Sequence, residues 1–216
     1  MPEVRKPIRI AVNVMRTRLT VIGFNIAIVS FQIAQLPGIT GGVSVPGIDH
    51  PLHLTAGVEL YMALALSLIA MIAFIMSCGL DEVGICTHWS LIAGDLLMYL
   101  ALAYTIAGFF APLAASIRNV AMNLPGHPAQ TLILQEAVLI AGGIAWFLAM
   151  YLGPLVSLMR SPFSLTINLS LGIGYFLILL LLSWVNAQAG LIEIKSGSFV
   201  TEPGMVLREL AQPFRW

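Results

Sequence analysis

Three carboxylates stand where a carboxylate is costly. Glu59, Asp95 and Glu136 each fall inside a long apolar run, and a charged side chain in hydrocarbon costs about 2.5–3.5 kcal/mol at a helix centre on insertion scales. Each lies roughly six or seven residues from the start of its run, about 10 Å in at 1.5 Å per residue. Acids at that depth can take up and release a proton or replace part of a cation's hydration shell, with hydroxyl and amide groups between them. The surrounding pattern offers such groups. Thr55, Glu59, Ala63 and Ser67 follow one another at i+4, as do Asp95, Tyr99, Ala103, Ala107 and Ala111. Gln135 and Glu136 are followed by Gly142 and Gly143, while Asn25 and Gln32 share one face, and Asn168 precedes Gly172. Small and polar ridges of this kind suit close helix contact. With alternate helices antiparallel, Glu59, Glu136 and Gln32 are expected in one half of a bundle, and Asp95, Asn25 and Asn168 in the other.

Histidines give a second chemistry. His50, His53 and His127, with Asp49, fall at or beyond the ends of the apolar runs on the side of Glu59 and Glu136, so imidazoles and carboxylates there could hold a zinc or copper ion on the outer side. The spacing is no known ligand signature, because Pro51 interrupts Asp49-His50-Pro51-Leu52-His53. Haem b needs a histidine on each of two spans at one depth, whereas His53 opens the second run and His88 precedes the third from the opposite side. A single axial histidine for a pigment stays open. Cys78 and Cys86 flank a connection expected in the cytoplasm, where thiols stay reduced. No P-loop, nucleophile elbow or H-E-x-x-H motif is present, so the sequence leans against an enzyme.

The elements that must carry these residues are legible from composition. Of 216 residues, 59% are hydrophobic and 9% charged, against roughly 25% charged in a soluble domain, and the mean hydropathy is +0.94. This predicts an all-α integral membrane protein, a bundle of about five helices at 18–36, 53–78, 89–115, 130–158 and 164–188, each long enough for a core about 30 Å thick. Residues 1–17 are expected as a cytoplasmic amphipathic segment, with a helix over 4–15 that sets Ile8, Ala11, Val12 and Met15 apart from Arg5, Arg9 and Arg16. Residues 18–188 form the membrane domain and 189–216 a short tail outside it. Five of the ten Lys/Arg lie before or at the very start of the first span, so the positive-inside bias puts the amino terminus in the cytoplasm and the carboxyl terminus outside. The Gly- and Pro-rich 37–52 stretch reads as an exposed connection.

Partners follow from the same features: a lipid bilayer, further copies of the chain or a larger membrane complex, and no nucleic acid, since ten basic and ten acidic residues cancel. The leading expectation is a non-enzymatic subunit of an oligomeric cation or proton channel or transporter, with Glu59, Asp95, Glu136, Asn25, Gln32, Tyr99 and Asn168 along its path and no Lys or Arg inside to compensate. A metal-, haem- or pigment-associated redox subunit and a purely structural accessory subunit are the alternatives.

Overall fold

A computed structural model describes residues 8–9, 12–39, 42–80, 85–86, 88–123, 128–193 and 203–212. It is a helical bundle. Helix α1 runs Val12–Gln35 and ends in a single 3-10 turn at Leu36–Gly38, where Pro37 removes a backbone donor. Helices α2 (Leu54–Leu80) and α3 (Ser90–Asn123) follow, then α4 (Pro128–Phe147), a π turn (Leu148–Leu152) and α5 (Gly153–Met159) as one bent rod. Helix α6 spans Leu165–Glu193 and α7 Pro203–Glu209. Five of these rods are long and apolar enough to cross a membrane: Val14–Gly38, Leu54–Ser77, Ser90–Met122, Ala129–Met159 and Leu165–Glu193.

Helix α3 is the centre. It packs against α1, α2, α4, α5 and α6, and its Leu100, Ala101, Ala103, Tyr104 and Ala107 are buried with Leu60, Ala63 and Leu66 of α2. Glycines let the two helices close up. A Cβ on Gly94 would come within 2.9 Å of the Phe74 ring, and one on Gly108 within 2.8 Å of Leu60. The paired numbers rise on one helix as they fall on the other, which fixes an antiparallel register with residue 108 beside 60 and 94 beside 74. Glu59 and Asp95 therefore sit near opposite ends of the pair, separated along the axis by about 21 Å at 1.5 Å per residue.

Two prolines shape the rods. Pro154 has no N–H for the carbonyl of Met150 four residues earlier. The turn there widens to π geometry, and the Tyr175 hydroxyl of α6 donates to the freed Met150 oxygen at 2.5 Å. Such widened turns mark places where a helix accommodates a local conflict. Gly153 in the same bend lies against Tyr99, whose ring a Cβ would meet at 2.6 Å. Pro112 is carried inside α3.

Several expectations need correction. Where the sequence predicts an amphipathic helix over 4–15, Ile8–Arg9 is an extended strand, β1, paired antiparallel with β2 (Ile85–Cys86), and α1 begins only at Val12. Backbone pairing across to the α2–α3 connection holds this stretch extended against its helical periodicity. Helix α6 does not stop at residue 188 but continues to Glu193. Nor do residues 203–212 stand clear of the bundle: Glu209 and Gln212 are buried, and Tyr151 donates to the Leu210 carbonyl at 2.5 Å. The 42–52 connection is exposed over most of its length, but its ends are tied by two 2.9 Å backbone bonds between Val43 and Leu52. Gly42 there has φ +83° with the Leu52 carbonyl 2.8 Å from any Cβ, so only glycine fits.

Candidate functional site

The most polar buried place is a ring of four side chains at the Glu59 end of the bundle. Glu59 comes from α2, Asn186 from α6, and Glu209 and Gln212 from α7 and the turn after it. Asn186 Nδ2 donates to Glu59 Oε1 at 2.9 Å and to Glu209 Oε2 at 2.7 Å. Gln212 Nε2 donates to the same two oxygens at 2.5 and 3.1 Å. The heavy atoms thus close a cycle of oxygen, nitrogen, oxygen, nitrogen. All four residues are at least nine-tenths buried, from 0% exposure for Asn186 to 4% for Glu209 and Gln212.

The cycle sets how near the two acids are. Contacts of 2.9 and 2.7 Å through Asn186 limit the carboxylate oxygens to about 5.6 Å apart, and the route through Gln212 gives the same bound. Both amides spend their N–H groups on the ring. Their oxygens, Asn186 Oδ1 and Gln212 Oε1, are buried and accept no hydrogen bond from the described residues. Near the ring, Tyr104 of α3 and Ser183, which lies one turn before Asn186, are also buried.

The rods are held in register around this site. Glu193, at the end of α6, accepts from the backbone N–H of Thr55 at 3.1 Å and from its hydroxyl at 2.5 Å. A carboxylate there satisfies an orphan donor and meets the positive end of the helix dipole. Thr55, Glu193, Gly42, His53 and Asn119 line a cleft of about 180 Å³ above the ring.

Asp95 is in a different state. Arg18 of α1 grips it through two contacts of 2.6 Å, Nε to Oδ1 and Nη2 to Oδ2. This charge-assisted fork makes one hydrogen bond, Nη2–H to Oδ2, and one ion-pair contact at Oδ1, which accepts no hydrogen bond from the described residues, and the Arg18 guanidinium also lies 5.7 Å from the Phe74 ring centre. The expectation of acids without a compensating cation is therefore corrected, because α1 starts six residues before Arg18 and carries it inward. Between the two ends, Asn25 donates to Ser67 at 2.9 Å, both buried.

The remaining candidates scatter. Glu136, expected on an inward stripe, is exposed on the outer surface of α4. Helical spacing aligns Gly143 with Glu136, but α4 buries Thr131, Gly142 and Trp146 instead. Gln32 and Tyr99 are half-buried, and Asn168 in the first turn of α6 donates to the Phe163 carbonyl at 3.3 Å. His50 and His53 line one largely apolar cleft of about 290 Å³ with Leu36, Leu52, Val58 and Tyr61. His53 Nε2 lies 3.0 Å from the Ile39 carbonyl, and Asp49 is exposed. His127 lies outside the described residues. Among the described residues no three His, Cys, Asp or Glu side chains gather as a metal site would require.

Sequence reasoning named one member of the ring, Glu59, and missed the other three. Asn186 carried a signal, as an amide within an apolar run one turn after Ser183. Glu209 and Gln212 carried none, because their depth depends on α7 folding back along α6. No family model matches this chain, and comparison with curated proteins and with solved structures gives no match.

Proposed function

We propose that this chain is a non-enzymatic multi-pass membrane subunit that binds and passes protons, with the Glu59–Glu209 ring as its proton-exchanging site. The observation that carries the reading is the close approach of two deeply buried carboxylates across shared N–H donors. Two full charges at most about 5.6 Å apart repel by at least about 3 kcal/mol at an effective dielectric of 20. Sharing one proton between such acids removes that repulsion. A proton suits the ring better than a metal ion does, because Asn186 and Gln212 turn their N–H donors to the acids, and a cation would require both amides to turn their oxygens inward.

The helices supply the setting. Five rods able to cross a bilayer, with exposed apolar residues such as Leu169, Ile173, Phe176 and Leu177 along α6, fit a lipid environment. The basic residues before α1 favour a cytoplasmic amino terminus. Five crossings then put the ring in the outer half, below the 180 Å³ cleft, and the Arg18–Asp95 fork in the cytoplasmic half. The fork serves as a structural clamp, and Tyr104, Ser183, Asn25 and Ser67 are the polar groups through which a proton would approach Asp95 from the ring.

The test is proton flux into liposomes holding the purified chain, read with an internal pH dye under an imposed potential. Glu59→Gln and Glu209→Gln are each expected to lower flux at least tenfold, while Glu136→Gln leaves it unchanged. Wild-type flux in both ring variants, with protein incorporation equal, would overturn the reading.

A further inference from the structure

Glu136 poses a separate question. It lies eight residues into α4, at a depth of about 12 Å, and faces outward with no hydrogen bond or ion pair to any described residue. Its surroundings are apolar and exposed: Ile133 is 64% and Ile140 62% accessible, with Ala137 and Ala141 exposed between them. Hydrocarbon would leave that acid without a partner, so the face calls for a cover that brings a donor to the same depth. Two alanines four apart give that cover a shallow strip for close backbone approach.

The chain itself holds the complement. Arg118 of α3 is also exposed and without an ion pair among the described residues. It lies five residues before the end of α3, near the same end of the α3–α4 hairpin as Glu136. The two differ in height by about 4.5 Å at 1.5 Å per residue, which an extended arginine side chain spans. Helices α3 and α4 pack side by side, and both acid and base are exposed near their joined ends. We propose that this surface docks a second copy of the chain about a two-fold axis, with Glu136 of each copy meeting Arg118 of the other. A self-complementary patch in which i meets j and j meets i is what a two-fold interface requires, and the α4 alanines form its close-packed strip. The inference does not depend on the proton reading of the ring.

A charge swap tests it. The mass of the full chain in lipid nanodiscs is measured for the wild type, Glu136→Arg, Arg118→Glu and the double variant. Wild type is expected as a dimer. Each single variant sets like charges opposite one another and should raise the dissociation constant at least tenfold, giving monomers, and the double variant should recover the dimer. A monomeric wild type, single variants that stay dimeric, or a double variant that stays monomeric while its helical content matches wild type would each overturn the proposal.

Discussion

Breaking the Arg18–Asp95 fork is the sharpest test of how the helices are held. Asp95 is 5% and Arg18 20% exposed at the side chain, with two contacts of 2.6 Å between them. Removing one partner of a buried ion pair costs about 3–5 kcal/mol, because the other charge is stranded. Arg18 retains some access to the surface along its aliphatic stem, so the lower figure applies, and Asp95→Leu alone should cost about 3 kcal/mol. At 2–4 °C per kcal/mol for a chain of this size, that lowers the unfolding midpoint by about 6–12 °C. Arg18→Met alone should act in the same direction. Replacing both at once removes both charges and leaves apolar groups of similar bulk, and such replacements are often neutral. The double variant should then melt closer to wild type than either single one. The assay is a thermal scan of the four proteins in one detergent, read by helical circular dichroism. Additive losses in the double variant would refute the reasoning, since they would mean that the two residues stabilise the bundle independently.

Three other substitutions test the packing around the site. Tyr175→Phe leaves the Met150 carbonyl without its hydroxyl donor and should destabilise by about 1–3 kcal/mol; adding Pro154→Ala restores a backbone N–H to that carbonyl and should recover most of the loss in the same thermal scan. Gly153→Ala drives a methyl into the Tyr99 ring, at 2.6 Å, and should cost about 1–3 kcal/mol as overpacking, relieved by shortening Tyr99 to Leu. Glu193→Ala removes the acceptor for both Thr55 donors and should cost about 1 kcal/mol, in the range of a lost helix cap, with hydrogen exchange rising first in the opening turn of α2.

What the sequence disclosed and what it hid divide along physical lines. Helix placement was legible because hydropathy and length are local properties, and the ends at Pro37-Gly38 and Pro128 sit near breakers visible in the chain. The burial of Glu59 and Asp95 was legible for a related reason: helical spacing aligned each with small residues, and small residues mark close contact. Glu136 misled because Gly142 and Gly143 straddle two faces, and the bundle turned Gly142 inward and left the acid outside. Arg18 was hidden because it stands at the very start of the first apolar run, where it reads as the last of the basic lead-in residues. Glu209 and Gln212 are joined to Glu59 across some 150 positions, and only a tertiary fold can report a contact of that kind. The extended pairing of Ile8–Arg9 with Ile85–Cys86 is equally non-local, and it overrode a helical pattern that was genuine but weak.

The central claim is that Glu59 and Glu209 hold one exchangeable proton between them. Infrared difference spectroscopy of the reconstituted protein across a pH step measures this directly, through the carbonyl band of a protonated carboxyl group. The account predicts a band in the wild type that Glu59→Gln and Glu209→Gln each remove and Glu136→Gln leaves in place. A band that persists in both ring variants, or a wild type that shows none at any pH where it stays folded, would contradict it.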